Sequence, residues 1–227
     1  MESLLTLSLD DYSNVEMVLR LAVALMLMTA VLLALAASCV PANFRLPLFI
    51  ASVALGGAAW FESGVWQSWK EAFELAGTSY CVSGHLIADQ DRIIAWSLGV
   101  PAILFSFGLA QIPWRKKPGF PLECISVALL IMALTAPWSV FAAIILLGYA
   151  ATLLLRNSFL FVEILLALLC ILVGLIVSFI HPSLGGGASG ALVRGEILRM
   201  VLDTLSLVVP ALLLLTGILR LSGKGKN

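Results

Sequence analysis

Six ionisable side chains, Arg20, Glu62, Arg92, Glu196, Arg199 and Asp203, stand inside or at the ends of long apolar stretches of this 227-residue chain. A charge taken from water into hydrocarbon is costly, so such groups turn to a bundle interior, pair with one another, and mark ion, proton or ligand sites. Glu196, Arg199 and Asp203 are spaced by three and four residues, which puts them on one face of a helix. Arg92 opens another apolar stretch, "DRIIAWSLGVPAILFSFGLAQ", at a similar depth, and is the natural cross-helix partner of Asp203. Glu123 and Glu163 lie near stretch ends rich in basic residues and read as ion pairs at the rim.

Other chemistries find little support in the residue types. Cys81 and His85 would make half a metal site, but His181 is the only other histidine and no C-x-x-C pair exists. With four cysteines scattered as Cys39, Cys81, Cys124 and Cys170, no disulfide framework is implied. "GGGASG" lacks the lysine and the strand-to-helix setting of a phosphate loop and reads as a connection. There is no Ser-His-Asp arrangement and no carboxylate pair at catalytic spacing, so an enzyme is not expected.

The elements that must position the charged groups are membrane helices. Hydrophobic residues make up 61% of the chain and charged residues 11%, against roughly 25% charge in a soluble domain. A spanning helix needs about 20 apolar residues. Seven segments approach that length: Met17 to Cys39, Leu46 to Trp60 with an amphipathic extension toward Trp69, Arg92 to Pro113, Leu122 to Ala136, Ser139 to Leu155, Phe159 to Ile180 and Glu196 to Leu221. The expected fold is all-α, one seven-helix transmembrane domain over residues 1–227. Placing the N-terminus outside and the C-terminus inside collects Arg45, Arg115, Lys116, Lys117, Arg156, Arg220, Lys224 and Lys226 on the inner side. The acidic start, without a basic n-region, reads as part of a retained first helix. Zero formal net charge and no basic run longer than "RKK" argue against nucleic acid.

Within this frame the third and seventh segments resemble the microbial rhodopsins. The resemblance is carried by Arg92, Trp96 and Pro101 in an Arg-x-x-x-Trp-x-x-x-x-Pro pattern, by "MVLD" ending at Asp203, by the helix count and by a long external loop after the second helix. It implies that Arg92 and Asp203 belong to a charge network around a retinal Schiff base and that Trp96 packs against the chromophore. Several positions depart from the family's pattern. The family's retinal lysine, one turn after the aspartate, corresponds to Leu207, and all lysines (Lys70, Lys116, Lys117, Lys224, Lys226) lie outside the seven segments. The proton acceptor before the tryptophan is Ala95, the inner donor falls at Ser106, and the sixth segment has no tryptophan, tyrosine or proline before Pro182. A Schiff base needs an amine. The expectation is therefore a rhodopsin-like protein with no cofactor, its former chromophore pocket marked by Trp96, Pro101, Leu207 and Ala95, and its buried charge network formed by Arg92, Asp203, Arg199, Glu196, Glu62 and Arg20.

Three functions follow as expectations. The first is a structural, regulatory or sensory subunit that forms a homo- or hetero-oligomer with other membrane proteins, with "ALAAS", "GGAA" and "GYAA" permitting close helix contacts. The second is noncovalent binding of a pigment or lipid, although Trp60, Trp66, Trp69, Trp114 and Trp138 sit at helix ends and read as an interfacial belt. The third is an ion or small-solute transporter or channel, which needs a polar path that the apolar inner halves of the third and seventh segments do not provide. The expected setting is an integral membrane protein among lipids, in a bacterial inner (plasma) membrane.

Overall fold

The computed structural model of the chain describes residues 6–85, 87, 89–111, 160–180 and 188–224. Its element order is β1 (Thr6–Ser8), α1 (Leu9–Cys39), α2 (Ala42–Ala72), β2 (Phe73–Ala76), β3 (Ser79–Val82), α3 (Asp89–Ala110), α4 (Phe161–Ile180) and α5 (Ala188–Lys224). Four of these helices, α1, α2, α3 and α5, contain stretches long and apolar enough to cross a membrane. α4 covers the sixth predicted segment from Phe161 to Ile180, and α5 contains the seventh. The fourth and fifth, with Glu123, Cys124, Trp114 and Trp138, lie outside the described residues, as does His181.

Helix α1 begins eight residues before the predicted segment because its start is polar and capped, not apolar. Ser8 Oγ accepts from the Asp11 backbone N–H at 3.1 Å, and Asp10 and Asp11 complement the positive end of the helix dipole. The buried residues Tyr12, Val15, Leu19, Ala22, Met26, Ala30, Leu33 and Ala37 recur every three or four positions and form its packing stripe. Leu21, Met28, Val31 and Leu35 on the other faces are exposed, as suits a helix with protein on one side and lipid on the other.

Helix α2 packs on both α1 and α3, and small residues allow this. Ser52 Oγ donates to the Ala30 carbonyl of α1 at 2.7 Å. On the other side, a Cβ at Gly57 would lie 2.7 Å from Leu98 Cδ2 of α3. Helix α5 touches α1, α2, α3 and α4, so its inner face meets side chains from the whole described bundle. It starts at Ala188, within the glycine-rich stretch read as a connection, and reaches Glu196 two turns later.

The stretch after α2, expected as a long loop, contains a hairpin. β2 and β3 pair antiparallel, and β1 adds to the other edge of β3, with Leu7 opposite Tyr80. Gly77 turns the hairpin at φ +67°, a conformation that L side chains rarely adopt. Tyr12 stacks on Tyr80 with ring centroids 3.7 Å apart and on Trp69 at 5.9 Å. Trp69 and Leu7 are fully buried, so Trp69 is a core residue of this end of the bundle and not part of an interfacial belt. Trp60 is 76% exposed and fits the belt.

Candidate functional site

Arg92 enters from the first turn of α3, and Glu196 and Asp203 enter from α5, two turns apart on one face. All three are buried. Arg92 Nη2 donates to Glu196 Oε2 at 2.9 Å, and Arg92 Nε lies 3.1 Å from Asp203 Oδ2 in an ion pair whose angle is not that of a hydrogen bond. One guanidinium therefore bridges both acids. Arg199, whose side chain is one-third exposed, closes the cluster toward the surface through Nη1 to Glu196 Oε1 at 3.2 Å.

The second partner of Asp203 was not legible in the sequence. Trp96 Nε1 donates to Asp203 Oδ1 at 2.5 Å, so the carboxylate is held between a guanidinium and an indole, both from α3. Trp96 stands four residues after Arg92, and i, i+4 spacing places the two donors on the same face. That spacing was the only available sign, and the resemblance had assigned the ring to packing alone.

Glu62 of α2 is fully buried and lies within electrostatic reach of Arg92, Asp203, Glu196 and Asp91, yet neither of its oxygens has a hydrogen-bond partner among the described residues. Next to it, a Cβ at Gly64 would collide with Asp91 Oδ2, so the missing side chain at 64 lets the Asp91 carboxylate approach α2.

Arg20 departs from the expected network. It pairs with Glu16 on its own helix at 2.5 Å, lies over the Trp66 ring at 5.0 Å, and is 58% exposed. The buried stripe of α1 runs through Val15 and Leu19, and positions one residue further on are rotated by about 100° toward the outside. At the other end of the bundle Glu163 of α4 pairs with Arg220 of α5 at 3.0 Å, a partly exposed contact worth little in stability.

Around the expected chromophore position the described residues are close-packed. Leu207, one turn after Asp203, is fully buried, and its side chain fills the place a Cβ at Gly99 would need: that atom would collide with Cδ2 and come within 3.6 Å of Cγ. The Trp96 ring is seated against α4 at Gly174, where a Cβ would lie 2.8 Å from Cη2 and 3.1 Å from Cζ2 and would collide with Ser206 Oγ. Ser206 Oγ donates to the Cys170 carbonyl at 3.3 Å. Ala95 is fully buried, and Pro101 sits inside α3, where it removes one backbone donor. Two glycines thus let a tryptophan and a leucine lie flat against neighbouring helix backbones.

No family model matches the sequence, and no curated protein matches it. Solved structures do. The fold is similar to that of xanthorhodopsin, described as a light-driven ion pump with dual chromophore, with a TM-score of 0.80 and 18% identity over 99% of each chain. A thermophilic rhodopsin matches with a TM-score of 0.80 and 20% identity over 99% of this chain and 100% of that one. A blue light-absorbing proteorhodopsin from Med12 matches with a TM-score of 0.59 and 18% identity over 94% of this chain and 98% of that one. At these identities the likeness establishes the fold: a helical-bundle integral membrane protein with the microbial-rhodopsin architecture. It also corrects one expectation. The departures at residues 95, 106 and 207 led to a protein with no cofactor, whereas the structures sharing this fold are rhodopsins, one of them carrying two chromophores, and the expectation does not stand. It rested on a few positions read against a family pattern, and single positions do not decide whether a fold holds a ligand.

Proposed function

We propose that this integral membrane protein of rhodopsin fold binds a chromophore of the retinal class by contact alone and acts as a sensory, regulatory or structural subunit through other membrane proteins. The observation that carries the reading is the pairing of an anchored Trp96 with an apolar residue at position 207. An imine-linked chromophore does not fit, since residue 207 is leucine and no lysine stands in any of the seven predicted segments. An apolar ligand held by contact fits the residue types at this place: Trp96, Val100 and Ile103, at helical spacing on α3, and Leu207 of α5 are aromatic or apolar. Such a ligand would supply visible absorption. The chain's own residues would orient it, with Asp203 fixing the indole plane and Gly99 and Gly174 fixing how far Leu207 and Trp96 withdraw into the helix interfaces.

A second reading, ion transport, is favoured by the similarity to a light-driven ion pump and by the buried cluster of Arg92, Glu196 and Asp203. Under both readings we place the protein in a plasma membrane, N-terminus outside, without an enzymatic step and without nucleic acid.

The test is an absorption spectrum of protein purified from its native membrane, repeated after adding all-trans retinal and then hydroxylamine, with Leu207→Lys as the comparison. A band in the unaltered protein that resists hydroxylamine, together with a bleachable band in Leu207→Lys, is the expected result. A bleachable band in the unaltered protein would overturn contact-only binding. No band before or after retinal addition would overturn the chromophore reading. Light-dependent ion flux in liposomes would replace the subunit role with transport.

A further inference from the structure

We infer that Glu62 is a proton-binding site: one dissociable proton resides on its carboxyl group inside the membrane bundle. With or without a chromophore, the buried acids of this cluster outnumber its bases. Glu62, Glu196 and Asp203 are buried at 0, 3 and 3% exposure, and the buried base facing them is Arg92 at 7%. Arg92 is already committed to Glu196 and Asp203, and Arg199, the other guanidinium of the cluster, reaches Glu196. Asp203 has the Trp96 indole besides. With three acids against two bases, the set retains a negative charge, and the acid left without a hydrogen bond among the described residues is Glu62, at both oxygens.

The groups around Glu62 do not relieve this. From α3 it faces Arg92 and also Asp91, whose Oδ2 is drawn toward α2 at Gly64 and adds a further negative charge. From α5 it faces Glu196 and Asp203. From α1, the buried residues at this end are Tyr12, Val15, Leu19 and Ala22, with the Tyr12 ring stacked on Trp69 and Tyr80, while Glu16 and Arg20 pair with each other beside Trp66. An ionised carboxylate in apolar surroundings, with three acids and one base acting on it, is neutralised by a proton or a small cation. Among the described residues no three acidic, histidine or cysteine side chains converge as metal ligands, which favours the proton. A protonated carboxyl also gains one O–H donor among neighbours that are mostly acceptors.

The test is infrared spectroscopy of the full chain in lipid vesicles at neutral pH, in H2O and D2O, with Na⁺ or K⁺ as the only cation. The unaltered protein should show a protonated-carboxyl C=O band that shifts in D2O and is indifferent to the cation. Glu62→Gln should lose that band with the helical amide signal intact, and Glu163→Gln, whose carboxylate pairs with Arg220 at the other end of the bundle, should keep it. Should Glu62→Gln fail to fold, Glu62→Asp, which retains a carboxyl, should move the band. The proposal is overturned if the unaltered protein has no such band, if Na⁺ abolishes it, if it disappears in Glu163→Gln while surviving Glu62→Gln, or if Glu62→Asp leaves it unmoved.

Discussion

Arg92 bridges two carboxylates that stand two turns apart on α5, so its removal leaves both buried and unpaired from their main partner. Breaking a buried ion pair by deleting one member costs about 3–5 kcal/mol, because the remaining charge has lost water and partner alike. Arg92→Gln is therefore expected to lower thermal stability strongly. Trp96→Phe removes the indole donor to Asp203, a hydrogen bond to a charged group worth about 1.5–3 kcal/mol, together with the far ring edge that meets Gly174, while leaving an aromatic ring on α3. Thermal unfolding of the two variants in one detergent or lipid should rank Arg92→Gln below Trp96→Phe. The reverse order would mean that the indole, not the guanidinium, is the main support of Asp203. Arg92 and Asp203 were legible as partners because few charges stand in apolar segments. The indole bond was not, because Trp96 reads equally well as a packing residue.

Helix ends and helix crossings were set by small features. A capped polar turn, with Ser8 ahead of Asp10 and Asp11, extends α1 beyond its apolar length, and the hairpin after α2 turns on Gly77. A hydropathy pattern reports neither, since both lie in polar sequence. Tyr80 of the hairpin stacks on Tyr12 of α1, which stacks in turn on Trp69 of α2, so the hairpin is tied to both helices. Trp69→Ala empties a fully buried site and is expected to cost about 3–5 kcal/mol, whereas truncation of the exposed Trp60 should cost far less. Thermal unfolding compares them directly, and equal losses would remove the distinction between a core and a belt tryptophan. At the crossing of α3, α4 and α5, Gly174→Leu is expected to displace the Trp96 ring and so to weaken its bond to Asp203. A changed tryptophan emission spectrum would report that displacement, and an unchanged one would show that the ring has room elsewhere.

At the scale of the whole molecule, the bias of basic residues toward one side sets the expected orientation. An epitope tag ahead of Met1 should be reached by antibody on intact cells and a tag after Asn227 only after permeabilisation; the opposite pattern would invert the assignment. The membrane class, the helical architecture and the candidate partnership of Arg92 with Asp203 were determined by the sequence alone, because burying a charge or twenty apolar residues has few physical solutions. Helix α1 shows where that reasoning stops: Glu16, Leu19 and Arg20 are sequence neighbours, but only packing against α2 decides that Leu19 turns inward and Arg20 outward. Tertiary structure likewise decided that Trp69 is core, that Trp96 serves Asp203, that Leu207 and Trp96 rest on glycines of neighbouring helices, and that Glu62 faces the cluster without a hydrogen bond among the described residues. Each of these depends on which faces of different helices meet, and a helical repeat fixes the relative angles of residues within one helix while leaving its rotation against its neighbours to packing.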